Sequence, residues 1–531
     1  MEGSPFHSGE KLAQHRVGQD DVERWATRMI RPFLPEQHRE FYAQLPFLIG
    51  AARDADGRPW ATVLNGEPGF ARSPEPTTLD IHARPVPGDA LEAALRPGAD
   101  LGVLGIELST RRRNRANGRL GDGAALRLRV DQSFGNCPQY IQEREWTRVA
   151  PNPEPARRSA ELDSRQEAMI RTADTFFIAS GYRGDGEHPS YGMDASHRGG
   201  QPGFVQVSSP RGLVFPDYSG NNLFNTIGNL VRDPRVGLLF LNFAEGTMLQ
   251  LTGRATILWD GPEVDRIPDA RRLVVIELDG VVELPHALPL RWSRPNGAVR
   301  SLRLAQKLRE SADVTSFVFE SRDGGPLAPF LPGQYLPLKL GPDLERSYSL
   351  SNAPTDGQYR ISVKREPRGR ASRFLHDEVQ VGAMLDAGAP SGDFVLQDTP
   401  GPHVFISAGI GQTPVLSMLH ALSGSPRSVF WFHGARDGAH HPFAGEVKGL
   451  ARTLPRLHSE VRYSRPKPEE IEGQHFDRKG HLRSEEIMDQ VNDPHAEYYV
   501  CGPDRFIAEI VEGLESAGVS STRIHVESFG S

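Results

Sequence analysis

The sequence predicts a multidomain chain in which a duplicated, strand-rich half precedes a small antiparallel barrel and a terminal α/β domain. Three observations carry that prediction. Residues 41–148 and 163–290 repeat the same landmarks in the same order, the mark of an internal duplication. Residues 299–397 alternate apolar and polar positions between turns, as in Val314-Thr315-Ser316-Phe317-Val318-Phe319, which is how half-buried antiparallel strands read. From residue 402 to 531 apolar strands alternate with helical segments, as in a parallel sheet with crossover helices.

Taken in order, residues 1–40 read as a helical arm. Val22, Trp25, Ala26, Met29 and Ile30 are spaced three and four apart and fall on one helical face. That face is expected to pack on the next domain or on a partner subunit. In the duplicated half, Leu45 to Gly50 parallels Thr175 to Ser180, and Pro68-Gly69-Phe70 parallels Pro202-Gly203-Phe204. Leu101-Gly102-Val103-Leu104 parallels Val236-Gly237-Leu238-Leu239, and Asn117-Gly118-Arg119 parallels Thr252-Gly253-Arg254. The proline-bearing stretches 149–159 and 284–299 read as linkers.

The richest stretch is Phe405-Ile406-Ser407-Ala408-Gly409-Ile410-Gly411-Gln412-Thr413-Pro414, an apolar strand, a glycine turn and a helix start. Such a turn lets backbone N–H groups approach a diphosphate. It is joined by Arg346-Ser347-Tyr348-Ser349-Leu350-Ser351-Asn352, Ile361 to Glu366, Tyr498-Tyr499-Val500-Cys501-Gly502-Pro503, and Val526 to Gly530. Together these resemble the ferredoxin–NADP reductase superfamily, most closely the reductase part of flavohaemoglobins, over residues 299–531. The resemblance implies an FAD-binding barrel followed by a nicotinamide-binding domain, and hydride transfer from NAD(P)H to FAD.

It also implies roles. Arg346 would bond the flavin diphosphate and Tyr348 would stack on the isoalloxazine, suited by a guanidinium and a phenol ring. Ser349 would bond near the hydride-accepting nitrogen. Gly369 and Ser372 would cradle the flavin phosphates, while Gly409, Gly411, Thr413 and Pro414 would meet the nicotinamide nucleotide. Cys501, Gly502 and Pro503 would border the nicotinamide. Phe529 would lie against the flavin until nicotinamide enters, and Glu527 would tune proton delivery or stand as a surface carboxylate. Arg436 and Arg465 suit a 2′-phosphate, whereas the flavohaemoglobin likeness points to NADH, so the preference between NADH and NADPH stays open.

In the second repeat, Gly228-Asn229-Leu230-Val231-Arg232-Asp233-Pro234-Arg235-Val236-Gly237-Leu238-Leu239-Phe240 and Leu249 to Ala255 resemble the pyridoxamine 5′-phosphate oxidase-like split β-barrel. Members of that family are usually homodimers with a flavin phosphate between two barrels. A duplicated chain is therefore expected to form a pseudo-dimer with the same cleft inside one molecule. Arg111, Arg113 and Arg115 would share a face if their segment is a strand. They suit an anionic cofactor, or equally an exposed edge kept soluble by arginines. Ser133 to Ile141 resembles a segment of one branch of the oxidase-like proteins and is plausible as a turn beside a ligand. His82, His188, His197 and His286 lack metal-ligand spacing, and no metal is expected.

With 531 residues, 24% charged and 38% hydrophobic, the chain reads as globular, and its net charge of −7 argues against a nucleic-acid or anionic-membrane surface. It has no apolar run long enough to span a membrane, and Met1-Glu2-Gly3-Ser4 does not begin a signal peptide, so a cytoplasmic location is expected. Two cysteines, Cys137 and Cys501, supply neither a disulfide framework nor the four thiolates of an iron–sulfur cluster. The expected enzyme is an NAD(P)H-dependent FAD oxidoreductase. Its electrons would pass to an acceptor in the N-terminal half: a second flavin such as FMN, a haem, a small molecule or oxygen. The competing readings make that half a docking module for a protein redox partner or a purely structural unit. No globin-like helical series precedes the reductase, so nitric-oxide dioxygenation does not carry over. Vitamin B6 synthesis needs no nicotinamide reductase and is not expected. A homodimer is left open.

Overall fold

A computed structural model of the chain describes residues 4–136, 138–294, 299–341 and 344–529; Cys137 and Gly530 lie outside the described residues. The chain divides into two units, Met1–Pro295 and Asn296–Ser531.

The N-terminal unit opens with α1 (Ser8–Arg16), α2 (Val22–Met29) and α3 (Glu36–Gln44). The first repeat holds β1 (Phe47–Arg53), β2 (Pro59–Asn65), β3 (Ala71–Arg72), β4 (Thr78–Ile81), β5 (Asp100–Glu107), β6 (Arg112–Gly121) and β7 (Leu126–Gly135). Then come β8 (Glu145–Arg148), β9 (Arg157–Ser159) and α4 (Ser164–Thr172). The second repeat holds β10 (Thr175–Tyr182), β11 (Gly192–Gly199), β12 (Gln206–Ser209), β13 (Gly212–Asp217), α5 (Asn225–Arg232), β14 (Arg235–Asn242), β15 (Thr247–Leu258), α6 (Pro262–Asp265) and β16 (Arg272–Leu284). A last strand, β17 (Leu290–Ser293), pairs with β8.

The two repeats have one topology. Their sheets run β2-β1-β5-β6-β7-β4-β3 and β11-β10-β14-β15-β16-β13-β12, so each strand of one has a counterpart in the same place in the other. The irregularities match as well: β6 and β7 slip register between Asn117 and Gly118, and β15 and β16 between Thr252 and Gly253. A Cβ on Gly118 or Gly253 would overlap the carbonyl of Arg129 or Glu277, which is why this bulge takes glycine. One landmark shifts. Gly50 pairs with Val103 and Ile178 with Leu238, so Gly50 corresponds to Ile178 and not to Ser180. A slip of two leaves every side chain on its own face, and the apolar pattern could not expose it.

The arm divides its packing. Val22, Trp25, Ala26 and Ile30 are buried and Met29 half-buried. In the first repeat, Tyr42 of α3 donates to the Asn114 carbonyl at 3.0 Å. Meanwhile α1 crosses α5 of the second repeat so closely that a Cβ on Gly228 would stand 2.6 Å from the Glu10 backbone.

The C-terminal unit begins with a six-stranded antiparallel sheet. Its strands are β18 (Arg300–Arg309), β19 (Val314–Ser321), β20 (Tyr335–Gly341), β21 (Leu344–Ser349), β22 (Tyr359–Lys364) and β23 (Met384–Ala387), in the order β21-β20-β23-β18-β19-β22. The helix α7 (Arg370–Arg373) follows β22. A parallel sheet completes the unit with β24 (His403–Ala408), β25 (Val429–Ala435), β26 (Leu457–Tyr463), β27 (Arg478–Lys479), β28 (Glu497–Gly502) and β29 (Ile524–Ser528). Its order, β27-β26-β25-β24-β28-β29, reverses direction at β24, where α8 (Gln412–Ala421) starts. The crossovers are α8, α9 (Ala444–Leu450), α10 (Ser484–Gln490) and α11 (Asp504–Ser516). In such a sheet, ligands bind outside the strand ends at the point of reversal. The fold class expected from sequence is the one observed: multidomain and β-rich, with an antiparallel FAD-type barrel and an α/β nicotinamide-type domain. No described helix is long and apolar enough to cross a membrane.

Candidate functional site

The α/β domain places its glycine turn at that reversal. Gly409 has φ 55°, a left-handed conformation that favours glycine. Gly411 lies on the end of β28: a Cβ there would overlap the Cys501 carbonyl and stand 2.8 Å from the Gly502 Cα. Thr413 is buried and donates to the Ile410 carbonyl at 3.1 Å, and Pro414 is buried in the first helical turn, where its missing N–H costs nothing. A helix start of this kind can offer backbone N–H groups to an anion. Cys501 is fully buried; burial first, then the Glu527 charge, push its thiol well above the usual range, so it stays protonated. Glu527 pairs with Cys501 across β28 and β29, and Phe529 packs on the core that holds Cys501 and Tyr499. Pro503 caps α11.

On the barrel, Arg346 and Tyr348 lie two apart on β21 and share a face. Ser349 is buried at the strand end, opposite Tyr335. Gly369 caps α7, and the Ser372 hydroxyl closes that turn by accepting from the Glu366 N–H and donating to the Gly369 carbonyl, both at 3.1 Å. Within the same unit Ser417 of α8 donates to the Asn352 carbonyl at 2.8 Å, tying the helix to the chain just after β21.

The N-terminal unit contains a separate cleft between the two repeats. Arg113 and Arg115 enter it from β6, His197 and Arg198 from β11, and Arg272 from the start of β16. One carboxylate, Asp217, lines it against these four guanidinium groups. Arg115 reaches across the repeats to Asp194 at 3.1 Å and to the Ser196 hydroxyl at 2.7 Å. Asp217 stands 3.8 Å from Arg198 and 3.3 Å from Arg272. Burial pulls both of these guanidinium pKa values down, with the Asp217 charge opposing it. The arginines remain charged, because a guanidinium does not deprotonate in a protein.

Among the side chains lining it, the buried nitrogens that lack a protein acceptor are Nε of Arg115 and Arg198, Nη1 of Arg272, Nε2 of His197 and Nδ2 of Asn136. His197 is 2% exposed, and burial, then the Arg113 charge, hold its pKa well below the usual value. Its imidazole is therefore neutral. Arg113 lies 3.2 Å from Nδ1 and can only donate, which puts the ring proton on the unpartnered Nε2. A wall of unsatisfied donors costs folding energy unless acceptors meet it. The tyrosine pair Tyr140 and Tyr218, stacked with centroids 5.3 Å apart, forms an aromatic part of the rim.

Comparison with known proteins agrees with this division. Three family models match: pyridoxamine 5′-phosphate oxidase over residues 162–282, oxidoreductase FAD-binding domain over 301–396, and oxidoreductase NAD-binding domain over 405–512. The flavohemoprotein of Chromobacterium violaceum is 42% identical over 245 residues, which are 44% of this chain and 61% of that protein. The flavohemoprotein of Rhizobium meliloti is 41% identical over 243 residues, 44% of this chain and 60% of that protein. Residues 301–396 and 405–512 are therefore FAD-binding and NAD-binding domains of the ferredoxin reductase type. The chain spans about three fifths of the length of these curated relatives. Among solved structures, the flavohem-like FAD/NAD-binding domain of nitric oxide dioxygenase from Vibrio cholerae is 34% identical, covering 44% of this chain and 99% of that one, with a TM-score of 0.40.

In the reductase module, Gly411, Cys501, Gly502, Glu527 and Phe529 lie around one strand end. In the cleft, Arg113 and Arg115 come together, but Arg111 does not join them. It precedes β6 in a left-handed turn at φ 59°, with its Nε 3.6 Å from Glu143, so the three arginines do not share a strand face. His197, Arg198 and Arg272 were not singled out as binding residues by sequence reasoning. They are single basic residues on separate strands, and only the pairing of the repeats brings them to one wall. Among the described residues no group of three or more His, Cys, Asp or Glu side chains could hold a metal.

Proposed function

We propose that the protein is an NAD(P)H-dependent flavoprotein reductase whose electrons pass to a small anionic acceptor held in the N-terminal cleft. The reductase module supplies the FAD- and NAD(P)H-binding domains. The further step rests on one observation: the cleft wall of buried, unsatisfied donors around His197, Arg198 and Arg272. A phosphorylated flavin fits that chemistry, offering a dianion to the arginines and ring acceptors to His197 and Asn136. A flat apolar patch, which a docking module would present, is not what the repeats enclose.

In this reading Arg346, Tyr348 and Ser349 hold FAD, with Gly369 and Ser372 at its phosphates. Gly409, Gly411, Thr413 and Pro414 shape the turn that receives the nicotinamide nucleotide, and Cys501, Gly502 and Pro503 border the nicotinamide. FAD held there would supply the chemistry of hydride acceptance and onward electron release. The chain's own part is to align the two rings and to exclude water, which is worth several kcal/mol of barrier. Gly411 contributes by letting the helix start approach β28, and Phe529 by covering the core beside Cys501. Glu527, paired with Cys501 across β28 and β29, would tune proton delivery.

The test is to reduce the full-length, FAD-loaded protein anaerobically with NADH and follow its spectrum before and after adding FMN. Reduction of added FMN at a rate that Arg198→Leu with Arg272→Leu lowers, while NADH still bleaches the FAD, supports the reading. FMN reduction unaffected by those substitutions sinks it and leaves the N-terminal unit as a docking module.

A further inference from the structure

The two repeats should create two pseudo-equivalent clefts, yet they are chemically unlike. A homodimer of identical barrels must present each site twice, because its symmetry copies every residue. Fusion into one chain removes that constraint. The sheet registers show which residues are counterparts. Leu104 faces Arg115 where Leu239 faces Gln250, and Ile106 faces Arg113 where Leu241 faces Met248. On the opposing repeat, Phe177 faces His197 where Ile49 faces Val63, and Phe176 faces Arg198 where Leu48 faces Leu64.

Arg113, Arg115, His197 and Arg198 are thus replaced at the twin position by Met248, Gln250, Val63 and Leu64, all of them 0% exposed. Asn136, whose backbone N–H bonds to the Arg113 carbonyl, is matched by Leu284, which pairs with Met248. Gln250, the polar residue among these four, is fully committed. Its amide donates to the Ala61 carbonyl at 2.9 Å and to Asp89 at 3.0 Å, and its oxygen accepts from the Ala90 N–H at 3.1 Å. Asp89 also accepts from Thr62 at 2.5 Å and from the Leu91 N–H at 2.7 Å. Among the described residues, none of Thr62, Asp89 and Gln250 has an orphaned buried atom, whereas five cleft side chains do. The segment around Asp89 and Leu91 lies over the twin position, and Leu64, Leu91 and Met248 belong to one apolar core.

We infer that the N-terminal unit binds one anionic acceptor per chain, in the Arg113–Arg272 cleft alone, and that its twin around Gln250 has become structural core. The inference rests on the reading of the cleft as an acceptor site. One chain completes the site, since Arg113 and Arg115 come from the first repeat and His197, Arg198 and Arg272 from the second. Electron flow therefore ends at a single position in this unit, without a second internal site to share it.

Native mass spectrometry of the full-length, FAD-loaded protein titrated with FMN tests this directly. One added FMN per chain is expected, with riboflavin, which lacks the phosphate, giving none. Arg198→Leu should weaken FMN binding by roughly tenfold or more, as loss of a charge-assisted partner does, and Met248→Leu should not change it. Two FMN per chain would overturn the single-site inference while leaving the acceptor reading intact. No FMN on the wild-type chain would overturn both. One FMN that survives Arg198→Leu combined with Arg113→Leu would also overturn the inference. The wild-type count decides the matter whether or not a variant folds.

Discussion

Gly102 in β5 and Gly237 in β14 occupy corresponding positions, and each lies against the backbone of the other repeat. A Cβ on Gly102 would stand 2.6 Å from the Met193 carbonyl, and one on Gly237 would stand 2.6 Å from the Pro59 carbonyl. The contact is reciprocal, as a two-fold interface demands, although both surfaces belong to one chain. Close approach of β5 to β11 and of β14 to β2 brings β6 within reach of His197 and Asp194, and so sets the cleft.

Gly102→Ala and Gly237→Ala are each expected to destabilise the N-terminal unit by about 1–3 kcal/mol, because backbone is the obstacle and cannot swing aside as a side chain can. Urea unfolding monitored by tryptophan fluorescence reads this. Unchanged midpoints for both variants would contradict the close crossing.

If β21 holds FAD as proposed, Tyr348→Ala and Arg346→Ala should yield protein with much less FAD, since one would remove a stacking ring and the other a charge-assisted bond of about 1.5–3 kcal/mol. Flavin extracted per chain is the measurement. Full FAD content and full NADH oxidation in Tyr348→Ala would remove the flavin site from β21.

Gly411→Val adds branched carbon where the Cys501 carbonyl already stands. FAD should remain bound, while the rate of its reduction by NADH falls by about 100-fold, the cost of displacing reacting groups by around 1 Å. Stopped-flow bleaching of the flavin distinguishes this from loss of FAD.

Acid should weaken the N-terminal unit through His7. Burial, opposed by the bond to Asn229, lowers its pKa to about 4 from 6.5, and its side chain caps α1 through the Gly9 N–H. A histidine depressed in the folded state contributes stability that is whole above pH 6.5 and drains away as the pH falls toward 4. Between pH 7.5 and 5 the wild type should lose about 2 kcal/mol more than His7→Gln. Glu10, whose pKa is raised chiefly by burial, works in the opposite sense, so the comparison must be with this variant and not with the absolute curve. Parallel stability curves for the two proteins would show that His7 does not titrate in this range.

Sequence by itself determined the architecture wherever a residue's role is local. Gly118 and Gly253 were legible as landmarks of the repeat, Gly409 as part of a turn, and alternating apolar residues as strands, because backbone sterics and period-two burial act within a few residues; the bulges at the two landmark glycines came from the structure. Ordered motifs then identified the reductase module. The repeat was legible for the same reason, apart from a slip of two in β1 and β10 that preserves the buried face.

Tertiary structure alone decided the cleft. Arg111 looked like a third member of a row until the turn before β6 took it away, and a one-residue change of strand boundary is beyond local propensity. His197, Arg198 and Arg272 carry no signal in their own neighbourhoods; they become one donor wall only when β6 of one repeat meets β11 of the other. The difference between that wall and its filled twin is a property of register across the repeats. Long-range pairing fixes it, and no single segment of the chain contains it.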